Sequence, residues 1–126
     1  MTKRPNAIAG LALVAALLTG AQASAANSDR AYNLATRLGP LIEKCWIQSH
    51  DAAFADYIYS PEPNATNGPR ILLVPRKNPA APPSLVIEIN KEGAHVSVYG
   101  ALATSPQAAR IAGDLQRWIA QGDSCS

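Results

Sequence analysis

Apolar side chains recur at three- and four-residue steps along the first third of the chain. Ala31, Leu34, Ala35, Leu38, Leu41, Ile42, Cys45 and Trp46 follow that spacing, with Asp29, Arg30, Asn33, Arg37, Lys44 and Gln48 mostly between them. This is the pattern of a helix with one buried face, and it predicts a helix from Ser28 to about Gln48. Ser28 is placed to cap its start, and Asp29 falls in the first turn, where the helix dipole favours a negative charge. Gly39-Pro40 interrupts the pattern. Proline has no N–H to give and its ring crowds the preceding turn, which predicts a kink, or two short helices with Pro40 opening the second.

The middle of the chain changes period. Asp56-Tyr57-Ile58-Tyr59 suits a short edge strand, Ile71-Leu72-Leu73-Val74 an apolar strand ended by Pro75, and Leu85 to Ile89 a further strand. Ser60 to Pro69 (SPEPNATNGP) and Arg76 to Ser84 (RKNPAAPPS) carry the chemistry of loops, the second of them stiffened by its prolines. Asn90-Lys91-Glu92-Gly93 suits a hairpin turn, with Gly93 free to take positive φ. The return strand from Ala94 to Tyr99 alternates. Ala94, Val96 and Val98 share one face and His95, Ser97 and Tyr99 the other, as in a sheet with one face on the core and one in water.

Thr104-Ser105-Pro106-Gln107 then offers a capping box with proline in the first turn, ahead of an apolar stripe formed by Ala108, Ile111, Ala112, Leu115, Trp118 and Ile119. Gly122 is placed to end that helix. The order is helix, three or four antiparallel strands, helix. It predicts an α+β domain of two layers, with both helices on one face of the sheet.

The N-terminus changes the compartment. Lys3 and Arg4 precede the apolar run Ala7 to Leu18, and Ala21-Gln22-Ala23 or Ala23-Ser24-Ala25 supplies the small residues of a cleavage site. The run falls short of the roughly 20 apolar residues that cross a bilayer. Residues 1–25 are therefore expected to be a cleaved signal peptide and residues 26–126 a single small domain, exported to the periplasm and not inserted in the membrane. Cleavage also changes the charge. The whole chain has 11 Lys and Arg against 9 Asp and Glu, a net +2. Lys3 and Arg4 leave with the signal while every acid stays, so the mature domain is near neutral. It lacks the basic stripe with which nucleic-acid binders displace counterions. In an oxidising compartment the two cysteines, Cys45 and Cys125, most simply form one disulfide tying the end of the first helical element to the tail behind the last.

The residues of catalysis do not assemble. His50, Asp51 and Asp56 have irregular spacing in a segment expected to be a loop, short of the ligand sets that zinc requires. His95 has no adjacent carboxylate, and Glu88 and Glu92, the nearest paired acids, end in a turn. No G-x-S-x-G, redox C-x-x-C, phosphate loop or dinucleotide fingerprint is present, and Cys45 is accounted for by the disulfide. Neither a catalytic residue, a metal nor a cofactor is expected. A binding surface is. Tyr57 and Tyr59 gather near the exit from the first helix with Trp46, and Arg70, Arg76 and Lys77 flank the Ile71–Val74 strand; such aromatics and arginines anchor interfaces. Trp46 and Trp118 are expected to fill the core. Asn64-Ala65-Thr66 fits a glycosylation acceptor, a pattern without meaning behind an alanine-rich signal of bacterial type.

Two features together resemble a known group: Leu41-Ile42-Glu43-Lys44-Cys45-Trp46 at a helix end, and a hairpin with Asn90-Lys91-Glu92-Gly93 followed by a helix from Pro106 to Gln121 and a closing Cys125. They are similar to the C-terminal periplasmic domain of the TolA/TonB group, an αβ domain that mediates protein contacts in the bacterial envelope. Small uncharacterised exported proteins of alphaproteobacteria look similar as well. The sequence departs from TolA/TonB in having neither the membrane anchor nor the long spacer, and in inserting Arg76 to Ser84. The resemblance implies a stand-alone binding domain whose partner is another periplasmic or envelope protein, with no role in energy transduction. Two further classes stay open: a small secreted inhibitor of a hydrolase presenting Ser60–Pro69 or Arg76–Ser84, and a small enzyme using His50 and Asp51.

Overall fold

The computed structural model describes Thr2 and residues 18–126, so most of the expected signal segment lies outside the described residues. The first helix, α1, spans Leu18–Ile42 and runs straight into a π-helical segment, Glu43–Gln48. Two expectations are corrected here. Ser28 lies inside α1 and caps nothing, and Gly39-Pro40 causes no break. Proline in a helix interior costs about 3 kcal/mol. Leu38, Ile42 and Trp46 are each 0% exposed and Cys45 2%, on both sides of Pro40. Burial contributes about 1.5–3 kcal/mol for each large apolar side chain, so packing outweighs the proline. The i→i+5 segment follows directly where the hydrogen-bond ladder has lost a donor.

Four strands follow: β1 (Tyr57–Glu62), β2 (Arg70–Pro75), β3 (Leu85–Ile89) and β4 (Val96–Tyr99). They form one antiparallel sheet in the order β1-β2-β3-β4. Strand β1 reaches beyond its expected end, through Ser60 and Pro61; an edge strand tolerates a proline whose missing donor faces away from its neighbour. Ile71, Leu73, Leu85, Ile87 and Ile89 line the face covered by the helices and join Ala31, Leu38 and Ile42 in the core.

The hairpin from Asn90 is built differently from the expectation. Asn90 Oδ1 accepts from the N–H of Glu92 at 2.7 Å and of Gly93 at 3.3 Å, and the Ala94 N–H returns to the Asn90 carbonyl. The left-handed residue is Ala94, at φ 54°, and not Gly93. A side chain at 93 would instead meet the His95 ring. Gly68 is a glycine that backbone packing demands. At φ +135° a Cβ there would overlap the Ile89 carbonyl oxygen.

A 3-10 turn, Ala101–Thr104, leads to the second helix, α2, Ala108–Ile119. The expected capping box does not form: Thr104 Oγ1 donates to the Ala101 carbonyl at 3.3 Å, Gln107 at the helix start makes no side-chain cap bond, and the Ser105 Oγ accepts the Gln107 N–H at 3.0 Å. At the other end the Gly122 N–H bonds the Arg117 carbonyl and the Gln121 N–H that of Trp118, a Schellman closure. The left-handed residue of this closure is Gln121, at φ 77°, one position before the glycine expected to end the helix. Replacing Gln121 with glycine relieves that conformation and is expected to raise stability by about 0.5–1 kcal/mol in urea denaturation.

Cys45 and Cys125 form the expected disulfide, with Cα atoms 5.2 Å apart. Next to it, Trp46 stacks on Phe54 with ring centroids 4.8 Å apart and meets Trp118 at 5.4 Å. The tryptophans thus fill the core. Asp114, 5% exposed, accepts the Trp46 indole N–H at 2.8 Å and pairs with Arg117 at 2.6 Å, fastening α2 to the π-helical segment.

Candidate interaction surface

Both helices lie on one face of the sheet, and the opposite face is closed at its centre, where Leu72 and Val86 are each only 6% exposed. Alternation along the strands puts Ile58, Ser60 and Glu62 of β1 on the face opposite the helices. Arg70, Leu72 and Val74 of β2, Val86 and Glu88 of β3, and Ser97 and Tyr99 of β4 join them. The register aligns Glu62, Arg70, Glu88 and Ser97 in one row across all four strands. Arg70 donates to Glu62 from both Nε and a terminal nitrogen, closing an ion pair. That hydrogen bond, helped by Tyr99 on β4, holds the guanidinium above its ordinary pKa. Glu88, half-buried on the other side of Arg70, forms no ion pair or side-chain hydrogen bond among the described residues.

The β1–β2 loop roofs one end of this row. Pro63, Asn64, Ala65, Thr66 and Asn67 enclose a groove of about 570 Å³ together with Glu62, Arg70 and Glu88. The loop is pinned to the β3–β4 hairpin. The Lys91 N–H bonds the Asn67 carbonyl at 2.9 Å, the Ile89 N–H bonds the Pro69 carbonyl at 3.0 Å, and Gly68 lies against Ile89. The groove is therefore preformed. It combines two carboxylates, a guanidinium fork, two amides and a hydroxyl, a lining suited to polar contacts with a partner.

The residues expected to form the interaction surface are separated. Tyr57 and Tyr59 point to the helix side and pack on the core. The Tyr59 phenol fills the space over Gly39, where a Cβ would come within 2.6 Å of its oxygen. Burial, and secondarily the Glu43 carboxylate, raises the Tyr59 pKa. Arg70 belongs to the groove, whereas Arg76 and Lys77 follow the far end of β2. Lys77 is exposed. Arg76 reaches to the outer edge of β1 and donates to the carbonyls of Ala55 at 3.3 Å and Tyr57 at 3.1 Å. Sequence reasoning misses the pairing of Glu62 with Arg70 and the adjacency of Glu88. The signal lies only in the strand register, which composition does not reveal.

His50, Asp51 and Asp56 form no metal centre; the described residues contain no group of three metal-ligating side chains. Asp51 has a structural partner instead. Its carboxylate accepts the Ala53 N–H at 2.9 Å and pairs with Arg110 at 2.5 Å, and these two contacts, the backbone one first, lower its pKa. A carboxyl with a depressed folded-state pKa stabilises above its unfolded value and loses that contribution as pH falls through the folded one. The wild-type Tm is thus expected to decline below about pH 4, and Asp51→Asn to flatten that part of the Tm–pH profile. Identical acid slopes in the two proteins would rule Asp51 out as a source of acid sensitivity.

No family model, no curated protein and no solved structure matches this chain.

Proposed function

We propose that residues 26–126 form an exported, non-enzymatic domain that binds another protein of the periplasm or envelope. The sheet face opposite the helices carries this reading: one end of it holds a polar groove, with its loop bonded to the β3–β4 hairpin, in which Glu88 has no partner of its own among the described residues. A preformed cleft with convergent polar groups is the default candidate for a binding site. The export part of the proposal rests on the signal-like N-terminus, supported by the disulfide and by the finding that no described helix is long and apolar enough to cross a membrane. N-terminal sequencing of the product from the periplasm is expected to begin near residue 26.

Binding is tested in intact cells. A photo-crosslinking residue at Thr66, on the rim of the groove, should give an adduct that mass mapping identifies as another envelope protein. The same residue at Gln116, exposed on α2, should not. A folded, exported protein that gives no adduct from Thr66 or from Asn64 defeats the proposal.

The pinned loop favours a second reading, a secreted inhibitor of a hydrolase. Proline bracing and the bonds from Ile89 and Lys91 preorganise residues 63–69, which lowers the cost of inserting them into a target site. Swapping that loop would then abolish inhibition and leave the fold intact.

A further inference from the structure

The two edges of the sheet are treated differently. In an antiparallel ladder, successive residues direct their backbone N–H and C=O alternately toward one neighbour and away from it. The Arg76 N–H bonds the Asp56 carbonyl, so the even-numbered residues of β1 face β2 and the odd-numbered ones face outward. Ala55 and Tyr57 thus present outward carbonyls, and Arg76 occupies both. The Tyr57 N–H is bound to the Phe54 carbonyl, and Pro61 has no N–H at all. The β1 edge is blocked at its start by a long basic side chain and near its end by a proline, leaving Tyr59 between them as the residue whose outward N–H and C=O have no partner among the described residues.

The same rule applied to the other edge gives the opposite result. The Ile89 N–H bonds Pro69 and the Asn90 N–H bonds His95. Odd residues of β3 therefore face β2, even ones face β4, and residues 95, 97 and 99 face back to β3. Val96 and Val98 are left with their N–H and C=O pointing outward. No loop or side chain among the described residues bonds to them. Strand β4 has neither a proline nor a charge, and Val98 and Tyr99 are 36% and 45% exposed.

We infer that β4 is an interface between two copies of this chain, paired antiparallel about a two-fold axis through Ser97. Charge argues for a second copy as the occupant. A two-fold contact sets each strand against itself, so any charge near its centre meets its own kind; β4 has none. The charged residues nearest in sequence, Lys91 and Glu92, come to lie beside the uncharged Ala101–Thr104 turn of the other copy. An axis at Ser97 also uses both free residues. Val96 pairs with Val98 of the other copy in hydrogen-bonded positions, a favourable cross-strand match of β-branched side chains. Their side chains stand over the cleft of about 120 Å³ formed by Val98, Ala103, Ala108, Ile111 and Ala112, which the other copy's Val96 helps to cover. The outcome is one continuous eight-stranded sheet, and the inference is independent of the proposed function.

Sedimentation equilibrium of the oxidised, processed protein between micromolar and millimolar concentrations tests this. A monomer–dimer equilibrium is expected, with the apparent dissociation constant raised at least tenfold by Val98→Lys while the monomer's Tm stays within a few degrees. Ser97→Cys supplies the register. Ser97 faces itself in a non-hydrogen-bonded pair, whose Cα separation of about 4.5 Å suits a disulfide. Peptide mapping should find the introduced thiols of the two copies joined to each other, with Cys45–Cys125 intact. A monomer throughout the range, or a dimer unmoved by Val98→Lys and not cross-linked by Ser97→Cys, overturns the inference.

Discussion

Replacing both cysteines with alanine is expected to cost about 4–5 kcal/mol, the chain-entropy value for a link that closes 80 residues. Domains of this size are stable by only about 5–15 kcal/mol. The double variant should therefore lose roughly 20 °C or more in Tm at about 4–8 °C for each kcal/mol. The loss should not be confined to the unfolded state. Cys45 is buried in the core, and the tail that carries Cys125 receives two side chains of α2: Arg117 Nε and Trp118 Nε1 both donate to the Ser124 carbonyl, at 3.0 and 2.8 Å. Freeing the tail exposes the Trp118 indole N–H. Differential scanning calorimetry of the oxidised, reduced and double-alanine proteins checks this. If all three melt within a few degrees of one another, the link contributes little and the two helical elements hold by packing alone.

Asp114→Ala ranks next, at about 2–4 kcal/mol. It removes the acceptor of the Trp46 indole in the core and the carboxylate that Arg117 and Arg110 share, the latter at 3.7 Å. A buried donor left without a partner costs about 1–3 kcal/mol. Losing the acidic member of a buried ion pair adds more, discounted here because both arginines are partly exposed. Asp114→Asn keeps an acceptor for Trp46 and should recover about half of the loss. Urea denaturation followed by tryptophan emission reads both variants. Equal destabilisation by alanine and asparagine would show that charge alone matters and that the indole bond contributes nothing measurable.

Legibility in the sequence varies with the range of the physics involved. The α+β class, the disulfide and the alternation of β4 follow from local periodicity and a cysteine pair, so they are readable. The helix ends are not. Glycine is the residue expected at left-handed positions, but Ala94 and Gln121 take them because hydrogen bonds to the Asn90 and Arg117 carbonyls fix the turn one residue away from Gly93 and Gly122. Pro40 misleads in the same way, since its local cost is overruled by side chains that meet residues far along the chain. Of the residues expected at an interaction surface, Arg70 lies in the groove. Its partners are invisible in the sequence, because Glu62 and Glu88 join it only through strand register. The chemistry that singles out Arg76 is real, yet it serves the edge of β1 from within.

The strand order β1-β2-β3-β4 is a meander in which each strand pairs with the next one along the chain. Every pairing can nucleate as a neighbouring hairpin, with short loops to close. The helices, at opposite ends of the sequence, have the longest search, and Cys45 and Cys125 meet only when both have docked. The speed at which those two sulfurs find each other is thus a stopwatch for the last event of folding. A redox enzyme that joins them early would reverse the order, tethering the ends before the hairpins zip.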